Sequence, residues 1–318
     1  MGTSLKRRCL PLLIIAYNRP NTTSRQLERL DDAYSRDIHF FIDGPKQQDI
    51  ENQGKVVQII EKWAESTSHR PFIHISKMNL GIRNHFPLAA ESFFSMHNQG
   101  IILEDDIAFR SNFLDFCEQS LKDSSATSIW SVCGYNPQSR QQAHKDSLNS
   151  RFLTNIHTIH GWATFSESIE RYLSYRALPK QAVLADIVNS SHNFTSDPFL
   201  RRAIELTWKR KYLRSVSESG GGSWDNSWEL AAWHSCLPSI MPSESMSAEI
   251  RVGNEIAVHD SPRKQNPLSN FYDSYFLDHI APLNKSRDIR LLDTWGITRP
   301  YAWRYPLRIR RQLRTMTF

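Results

Sequence analysis

Hydrophobic and polar positions follow two different periods along the first part of the chain. Short runs of apolar or alternating residues, typical of strands in a buried sheet, occur at Leu12–Ala16, Ile38–Ile42, Phe72–Ile75 and Ile101–Leu103. After each run, apolar residues recur at helical spacing, which predicts an amphipathic helix. The four helical stripes are Leu27, Leu30 and Tyr34; Val56, Ile59, Ile60 and Trp63; Phe86, Ala89, Ala90, Phe93 and Phe94; and Phe113, Leu114, Cys117 and Leu121.

Four successive strand–helix units predict an α/β fold, with a mostly parallel central sheet flanked by helices. In such sheets, ligands bind beyond the carboxyl ends of the strands. The segments that follow the four strands are therefore expected on one rim, and each carries an acid or a cation: 18–21, 43–45, 79–85 and 104–106. The rhythm breaks near Pro137, which predicts a first half of residues 1–145, a mixed second half of 146–295 sharing the same sheet, and a basic tail of 296–318.

Local signals refine two of these segments. Asn21-Thr-Thr-Ser supplies candidate caps for the first helix. Asn79-Leu-Gly81 has the composition of a tight turn, in which Gly81 is expected to adopt a positive φ angle.

Composition narrows the class of protein. The chain has 318 residues, of which 40% are hydrophobic and 23% charged, so it can bury a sizeable core. Its net charge of +6 suits an anionic ligand or a membrane surface, but the excess is too small to predict nucleic-acid binding. Four cysteines without a CxxC pair predict neither a zinc site nor a disulfide scaffold, as in a cytoplasmic protein. The apolar run Cys9–Tyr17 is too short to span a bilayer, and we interpret it as the first strand rather than a signal peptide.

Three consecutive acids, Glu104, Asp105 and Asp106, follow the fourth predicted strand. In a solvated turn their repulsion would cost little, and that interpretation stays open. Their position on the ligand-binding rim favours another: hard carboxylate oxygens that hold Mg²⁺ or Mn²⁺ between the protein and a diphosphate.

Several stretches resemble, in the same order, the N-acetylglucosaminyltransferase I family, whose fold is the Rossmann-like GT-A fold. They are IIAYNRP (14–20), FIDG (41–44), RNHF (83–86), ILEDDI (102–107), SIWSVCGYN (128–136), HGWATF (160–165) and SWDNSW (223–228). The last two stretches, HGWATF and SWDNSW, are also similar to those of bacterial sugar transferases related to glycosyltransferase family 2. The chain departs from the first family at Asn226, where that family has a second Asp.

The resemblance implies a donor site in the first half. Asp106 would bind Mn²⁺ or Mg²⁺ directly, while Glu104 and Asp105 would act through water, the ribose or the sugar. The other implied contacts to the nucleotide-sugar come from Ala16, Tyr17, Asn18, Arg19, Asp43, Arg83 and His85. Among these, Asp43 would accept the imino N–H of uracil, and Arg83 and His85 would reach the diphosphate. Plainer roles stay open: a turn cap for Asp43, a solvated cation for Arg19 and a structural imidazole for His85.

The resemblance places the acceptor site and the catalytic base in the second half. Asp225 would take the proton of the acceptor hydroxyl, although it also stands where it could cap a helix, and Glu229 is the alternative base. Trp162 and Trp224 would line the acceptor pocket, and His259 would be a further metal ligand or a loop residue.

The function implied is a metal-dependent, inverting glycosyltransferase of polysaccharide biosynthesis. It would move a hexosyl or N-acetylhexosaminyl group from a nucleotide-sugar, a UDP-sugar in the resembled family, to a saccharide or lipid-linked acceptor. Two alternatives stay open. One is a sugar-phosphate nucleotidyltransferase, although such enzymes have a Gly-rich signature after the first strand and the segment AYNRPN of this chain contains no such signature. The other is a non-catalytic carbohydrate-binding protein. The Arg- and aromatic-rich tail would suit peripheral contact with anionic lipid, or would be solvated.

Overall fold

The computed structural model describes residues 9–30, 35–137, 151–192, 194, 196, 198–216, 223–249 and 280–281. The first half contains β1 (Leu12–Ala16), α1 (Pro20–Leu27), β2 (Asp37–Ile42), α2 (Ile50–Ser66), β3 (Arg70–Ile75), α3 (Ile82–Phe94), β4 (Gln99–Glu104), β5 (Ile107–Phe109), α4 (Phe113–Lys122) and β6 (Ser131–Cys133). The second half adds β7 (Arg151–Thr154), β8 (Trp162–Phe165), α5 (Ser166–Arg176), α6 (Lys180–Ser191), α7 (Pro198–Ser215), α8 (Asp225–His234), β9 (Ser239–Pro242), β10 (Ser247–Glu249) and β11 (Ile280–Ala281).

In the described part of the chain, nine strands form one central sheet in the order β11-β7-β9-β6-β8-β4-β1-β2-β3. The first four strands along the chain are parallel, with β1 between β2 and β4. The second half adds antiparallel pairs, because β8 runs against both β4 and β6. The expected α/β fold, with a mostly parallel sheet and a mixed second half, is confirmed.

Alternation along β1 shows why the sheet is buried on both faces. Leu13 and Ile15 belong to one hydrophobic cluster, which reaches into the helices of the second half. Leu12, Ile14 and Ala16 belong to the other cluster, which α1, α2 and α4 cover. A strand with two covered faces needs a continuous apolar run, and β1 has one.

Helix α1 differs from its prediction at both ends. It begins at Pro20, whose fixed φ angle and missing N–H suit the first helical position, so Asn21-Thr-Thr-Ser lies inside the helix. The Thr23 hydroxyl donates instead to the carbonyl of Arg19, at 2.8 Å. The helix ends at Leu27. Leu30 is buried beyond it, while Tyr34 lies outside the described residues.

The loops after β2 and β3 meet on the expected rim. Gly81 has a φ angle of 69° and a ψ angle of 150°, a combination that is essentially restricted to glycine. Gly44 lies so close to the next loop that an added Cβ would stand 2.4 Å from the carbonyl carbon of Met78. Both glycines are thus required by backbone geometry. Within the described residues, no helix combines the length and apolar composition needed to cross a bilayer.

Candidate active site

The three acids form a tight turn between β4 and β5 that neighbouring elements hold in place. The backbone N–H of Asp105 donates to the carbonyl of Ile15 at the end of β1, at 2.9 Å. The buried amide of Gln26 on α1 donates to the carbonyls of Glu104 (2.7 Å) and Ile107 (2.9 Å). Because these bonds fix the backbone on both sides of the turn, the direction of the acidic side chains is set by the fold. Sequence reasoning missed Gln26, which lies in no recognisable motif.

Arg19 lies between two of the acids. Its Nη1 is 2.7 Å from Oδ1 of Asp105 and 2.9 Å from Oδ2 of Asp106. The second oxygen of Asp105 accepts the backbone N–H of Tyr17, at 2.9 Å. Asp105 thus anchors the loop between β1 and α1 through both of its oxygens. The solvated-cation role considered for Arg19 is wrong, since it forms a largely buried ion pair.

The acidic turn carries more negative charge than Arg19 balances. Burial raises the pKa of Glu104 to about 8, and the neighbouring Asp106 adds to the rise. Burial likewise raises the pKa of Asp106 to about 7, against the opposing charge of Arg19. Burial alone would lower the pKa of the Arg19 guanidinium. The negative charges of Asp105 and Asp106 have the larger effect, and the pKa is raised. An additional cation at this turn would therefore be electrostatically favoured.

Two acids from the second half reach the same turn. The charge of Asp225 contributes to the raised pKa of Glu104, so the first residue of α8 lies within electrostatic reach of the turn. Strand β10 pairs with β5 and sets Glu249 opposite Ile107, from where its charge acts on Asp106. Sequence reasoning missed Glu249. Its only signal was a polar residue closing a short strand, which is not specific.

The surroundings of Asp225 and Glu229 differ. Asp225 opens α8 and its Oδ1 accepts the N–H of Asn226 at 2.7 Å. Glu229 is buried; its Oε2 accepts the N–H of His157 at 3.1 Å, while its Oε1 has no hydrogen-bond partner within the described ranges. Burial raises the pKa of Glu229 well above its usual range, which favours the protonated form of this side chain.

A half-buried lysine of α7 lies within electrostatic reach of both carboxyl groups of α8. Burial lowers the pKa of Lys211, while the charges of Asp225 and Glu229 act in the opposite direction. Its ammonium also lies 4.6 Å from the ring centre of Trp208. Sequence reasoning missed Lys211 because α7 has basic residues throughout, and nothing in the sequence singles this one out.

Asp43 has the contacts of a loop anchor. Its Oδ1 accepts the N–H groups of Gly44 and Leu80, each at 2.9 Å, and its Oδ2 accepts that of Gly81 at 2.8 Å. The amide of Asn79 adds a further bond to Oδ2, at 3.2 Å. A uracil N–H would have to compete with these bonds, so the nucleobase contact of Asp43 stays a prediction.

His85 and Arg83 diverge from each other on α3. His85 is buried, with Nδ1 3.7 Å from Oδ1 of Asp43 and Nε2 3.1 Å from the carbonyl of Phe41, which is the structural role. Arg83 instead lines a pocket between α3 and the helices of the second half. Neither has a described contact with the acidic turn, and their reach to a diphosphate stays a prediction.

Tyr17 and Asn18 are tied to the segment after β2. The Tyr17 hydroxyl donates to Asp49 Oδ2 at 2.8 Å, and burial raises the pKa of this phenol to about 12. The Asn18 amide donates to Asp49 Oδ1 at 3.0 Å. Ala16 is buried at the end of β1. The loops that would border a nucleotide are thus joined to each other.

The two tryptophans expected at the acceptor site are largely buried. Trp162 is 1% exposed and packs against Trp228, with ring centres 4.5 Å apart. It therefore lies in the core, and the interpretation that it lines an open acceptor pocket is wrong for this structure. Trp224 stacks on Phe86 with ring centres 3.7 Å apart, but it also contributes to the pocket that Arg83 lines. His259 and the basic tail lie outside the described residues.

Two solved structures are distantly similar to this chain. A mannosyltransferase from Pyrobaculum calidifontis, in complex with GDP-Man and Mn²⁺, is 10% identical over 72% of this chain and 69% of its own, with a TM-score of 0.39. The bifunctional glycosyltransferase WbbM, in its apo form, is 8% identical over 74% of this chain and 39% of its own, with a TM-score of 0.32. No protein-family profile and no curated protein matches the chain. Likenesses this distant assign no activity, and the resemblance to N-acetylglucosaminyltransferase I stays a prediction.

The donor atoms of the turn fit a divalent cation. Among the described residues, no three His, Cys, Asp or Glu side chains converge into a ready-made cage. The carboxylates of Asp106 and Glu104 nevertheless supply hard oxygen atoms with uncompensated charge. Mg²⁺ and Mn²⁺ bind through few carboxylates when water and phosphate oxygens complete the coordination. The set thus fits an ion that arrives together with a diphosphate.

Proposed function

We propose that this protein is a metal-dependent, inverting glycosyltransferase. It moves a hexosyl or N-acetylhexosaminyl group from a nucleotide-diphosphate donor, a UDP-sugar, to a hydroxyl of a glycan or lipid-linked acceptor. The observation that carries this proposal is that Asp225, 119 to 121 positions away in the chain, lies within electrostatic reach of the buried acidic turn. A donor site and a base must be adjacent for such a transfer.

On the donor side, Asp106 would hold the divalent ion. When bound, Mn²⁺ or Mg²⁺ supplies neutralisation of the charge that develops on the leaving nucleoside diphosphate. Arg19 and Asp105 position the turn, because their ion pair joins it to the loop after β1. Tyr17, Asn18 and Asp43 border the space where the nucleotide would lie.

On the acceptor side, Asp225 is the better base of the two candidates. A general base must be ionised before it accepts the hydroxyl proton. Glu229 is buried with a raised pKa, which favours its protonated form, so it is poorly suited to this role. Lys211 lies within electrostatic reach of both groups. Its positive charge partly offsets the concentration of carboxylates.

The test is donor turnover with matched variants. The wild type should release UDP from a UDP-sugar in the presence of Mn²⁺, and EDTA should abolish the release. Asp106→Asn should lose Mn²⁺-dependent donor binding. Asp225→Asn should keep it and lose transfer by roughly 10²–10⁴-fold, the usual contribution of a general base. Glu91→Gln, at an exposed acid on α3, is the control.

Two outcomes would overturn the proposed activity, and a third would overturn the assignment of the base. Release of pyrophosphate would indicate a nucleotidyltransferase. Failure to bind any UDP- or GDP-sugar with Mn²⁺ would favour a non-catalytic carbohydrate-binding protein. Full transfer by Asp225→Asn would remove this residue as the base.

A further inference from the structure

A separate pocket lies beside the first turn of α8. Helices α3, α5, α6 and α7 enclose it together with the N-terminal end of α8, and its volume is about 70 Å³. The residues that define its chemistry are Arg83, Arg176, Tyr212, Ser223, Trp224 and Ser227. The acidic turn contributes no lining residue. Arg83 does line the pocket, so it is assigned below to the acceptor rather than to the donor diphosphate predicted from the sequence.

The charged groups that line the pocket are cations. Within the described part of the chain, no carboxylate lies within 4 Å of the guanidinium of Arg83 or that of Arg176. Arg176 instead donates to the Tyr172 hydroxyl at 3.5 Å and lies 5.7 Å from the centre of that ring. The charge of Arg83 reaches the Tyr212 phenol, where it opposes the rise in pKa that burial causes. Two guanidinium groups without a counter-charge in a partly enclosed space favour an anionic ligand.

The other lining groups are polar or flat. The hydroxyl groups of Ser223 and Ser227 lie at the N-terminal end of α8, where backbone N–H groups also favour negative charge. Trp224 also lines the pocket, but it is 2% exposed and stacked on Phe86, so it offers little surface to a sugar ring. The guanidinium and hydroxyl groups are therefore what a ligand would contact, and they suit an anionic group.

The pocket and the candidate base belong to the same helical turn. Trp224 and Ser227 line the pocket, and Asp225 lies between them in the chain. Residues one and two positions apart on a helix do not face each other, and Asp225 itself does not line the pocket. Its charge nevertheless acts on Tyr172, whose hydroxyl accepts a hydrogen bond from Arg176. A molecule anchored in the pocket would therefore extend beyond it to present a hydroxyl to Asp225.

We propose that this pocket binds an anionic group of the acceptor, either a phosphate ester or a sugar carboxylate. The proposal rests on the proposed function, and it names the acceptor class. A buried water needs roughly 10–15 Å³ of such space, so this pocket holds a group about five waters in size. It can take one phosphate or carboxylate with part of its sugar, but not a whole oligosaccharide.

Direct binding tests the pocket without any need for turnover. Inorganic phosphate, glucose 1-phosphate and glucuronate are titrated by calorimetry at fixed ionic strength, with glucose as the uncharged control. At least one anion should bind and glucose should not. Arg83→Gln and Arg176→Gln should each lower the affinity for that anion by about tenfold or more, as loss of a charge-assisted hydrogen bond predicts. Arg176→Lys should restore part of the affinity, and Arg210→Gln, at an exposed position of α7, should change nothing.

The choice of anions distinguishes a phosphate ester from a sugar carboxylate as the group that the pocket binds. Preference for glucose 1-phosphate indicates a phosphorylated acceptor, and preference for glucuronate indicates an acidic sugar. If no anion binds, or if the Arg variants bind as tightly as the wild type with an unchanged circular dichroism spectrum, the proposal is wrong.

Kinetics separate this proposal from the proposed function. Once an acceptor has been identified, Arg176→Gln should raise the KM of the acceptor with little change in kcat or in the KM of the donor. A raised KM for the donor alone would assign the pocket to the donor and overturn the proposal. Anion binding that depends on both arginines, in a protein that transfers no sugar, would uphold the pocket while rejecting the glycosyltransferase.

Discussion

Replacement of Arg19 gives the sharpest test of the acidic turn. Arg19→Gln keeps a polar side chain of similar reach but removes the charge that lies against Asp105 and Asp106. The side chains of these two acids are 3% and 13% exposed, so water can replace little of the lost interaction. Removing one partner of a buried ion pair typically costs about 3–5 kcal/mol. Because Arg19 is 22% exposed and Asp105 keeps the N–H of Tyr17, we expect about 3 kcal/mol.

The penalty should depend on pH in a defined direction. Glu104 and Asp106 have pKa values raised to about 8 and about 7, and loss of Arg19 would raise both further. A carboxyl group whose pKa is raised by folding gives its full stability below its unfolded pKa and loses it as pH rises through the folded value. The cost of Arg19→Gln should therefore be larger at pH 8.5 than at pH 6.

The assay is urea unfolding in EDTA at both pH values, with Arg25→Gln at an exposed position of α1 as the control. Mn²⁺ is then added without nucleotide. The variant should gain more stability from Mn²⁺ than the wild type, because its carboxylates lack a counter-charge and binding to the native state stabilises by mass action. Equal stability of the two variants in EDTA would refute the reasoning, as would a larger penalty at pH 6 than at pH 8.5.

Three further predictions concern buried groups and backbone geometry. Glu229→Gln should keep transfer activity and remove a loss of stability that the wild type suffers as pH rises above the usual pKa of a glutamate, measured by urea midpoints; loss of activity would instead make Glu229 the base. His157 is buried with a pKa lowered to about 3, so its neutral form is favoured and stability should fall as pH drops below 6.5; from pH 8 to 5 this contributes about 2 kcal/mol, which His157→Gln should abolish. Gly81 and Gly54 both have open space where a Cβ would lie, but only Gly81 has a positive φ angle. Gly81→Ala should therefore destabilise the protein by about 1–3 kcal/mol, whereas Gly54→Ala, inside α2, should stabilise it by about 0.5–1 kcal/mol. Thermal melts that shift the melting temperature of both variants in the same direction would contradict this account.

The first half could be predicted well because its local signals agree with its tertiary structure. The run Leu12–Ala16 is both a strong β-forming sequence and a strand covered on two faces, so the bounds of β1 match those predicted. Gly81 adopts the positive φ angle that its turn predicts. The predicted start of α1 was wrong because the sequence pattern contains four cap-forming residues in a row. The single proline before them determines where the helix begins.

The site was only partly predictable because its parts come from distant segments. The acidic turn was visible as three charges after a strand, and Asp225 as an acid between tryptophans. Lys211 and Glu249 reach the cluster only through the packing of α7 and the pairing of β10, which no local pattern records. Trp162 was misplaced because an aromatic residue in a glycine-containing motif has the same signature whether it binds sugar or fills the core.

The order of strands in the central sheet has a consequence for anyone who divides the chain. Strand β8 from the second half is hydrogen-bonded to β4 on one side and to β6 on the other, both from the first half. A fragment ending at residue 145 would keep β4 and β6 but lose the ladder between them, leaving two open edges next to apolar surface, a configuration that promotes aggregation. Truncation is therefore unsuitable for isolating donor binding from acceptor binding, and point substitutions in the intact protein are the means to separate them.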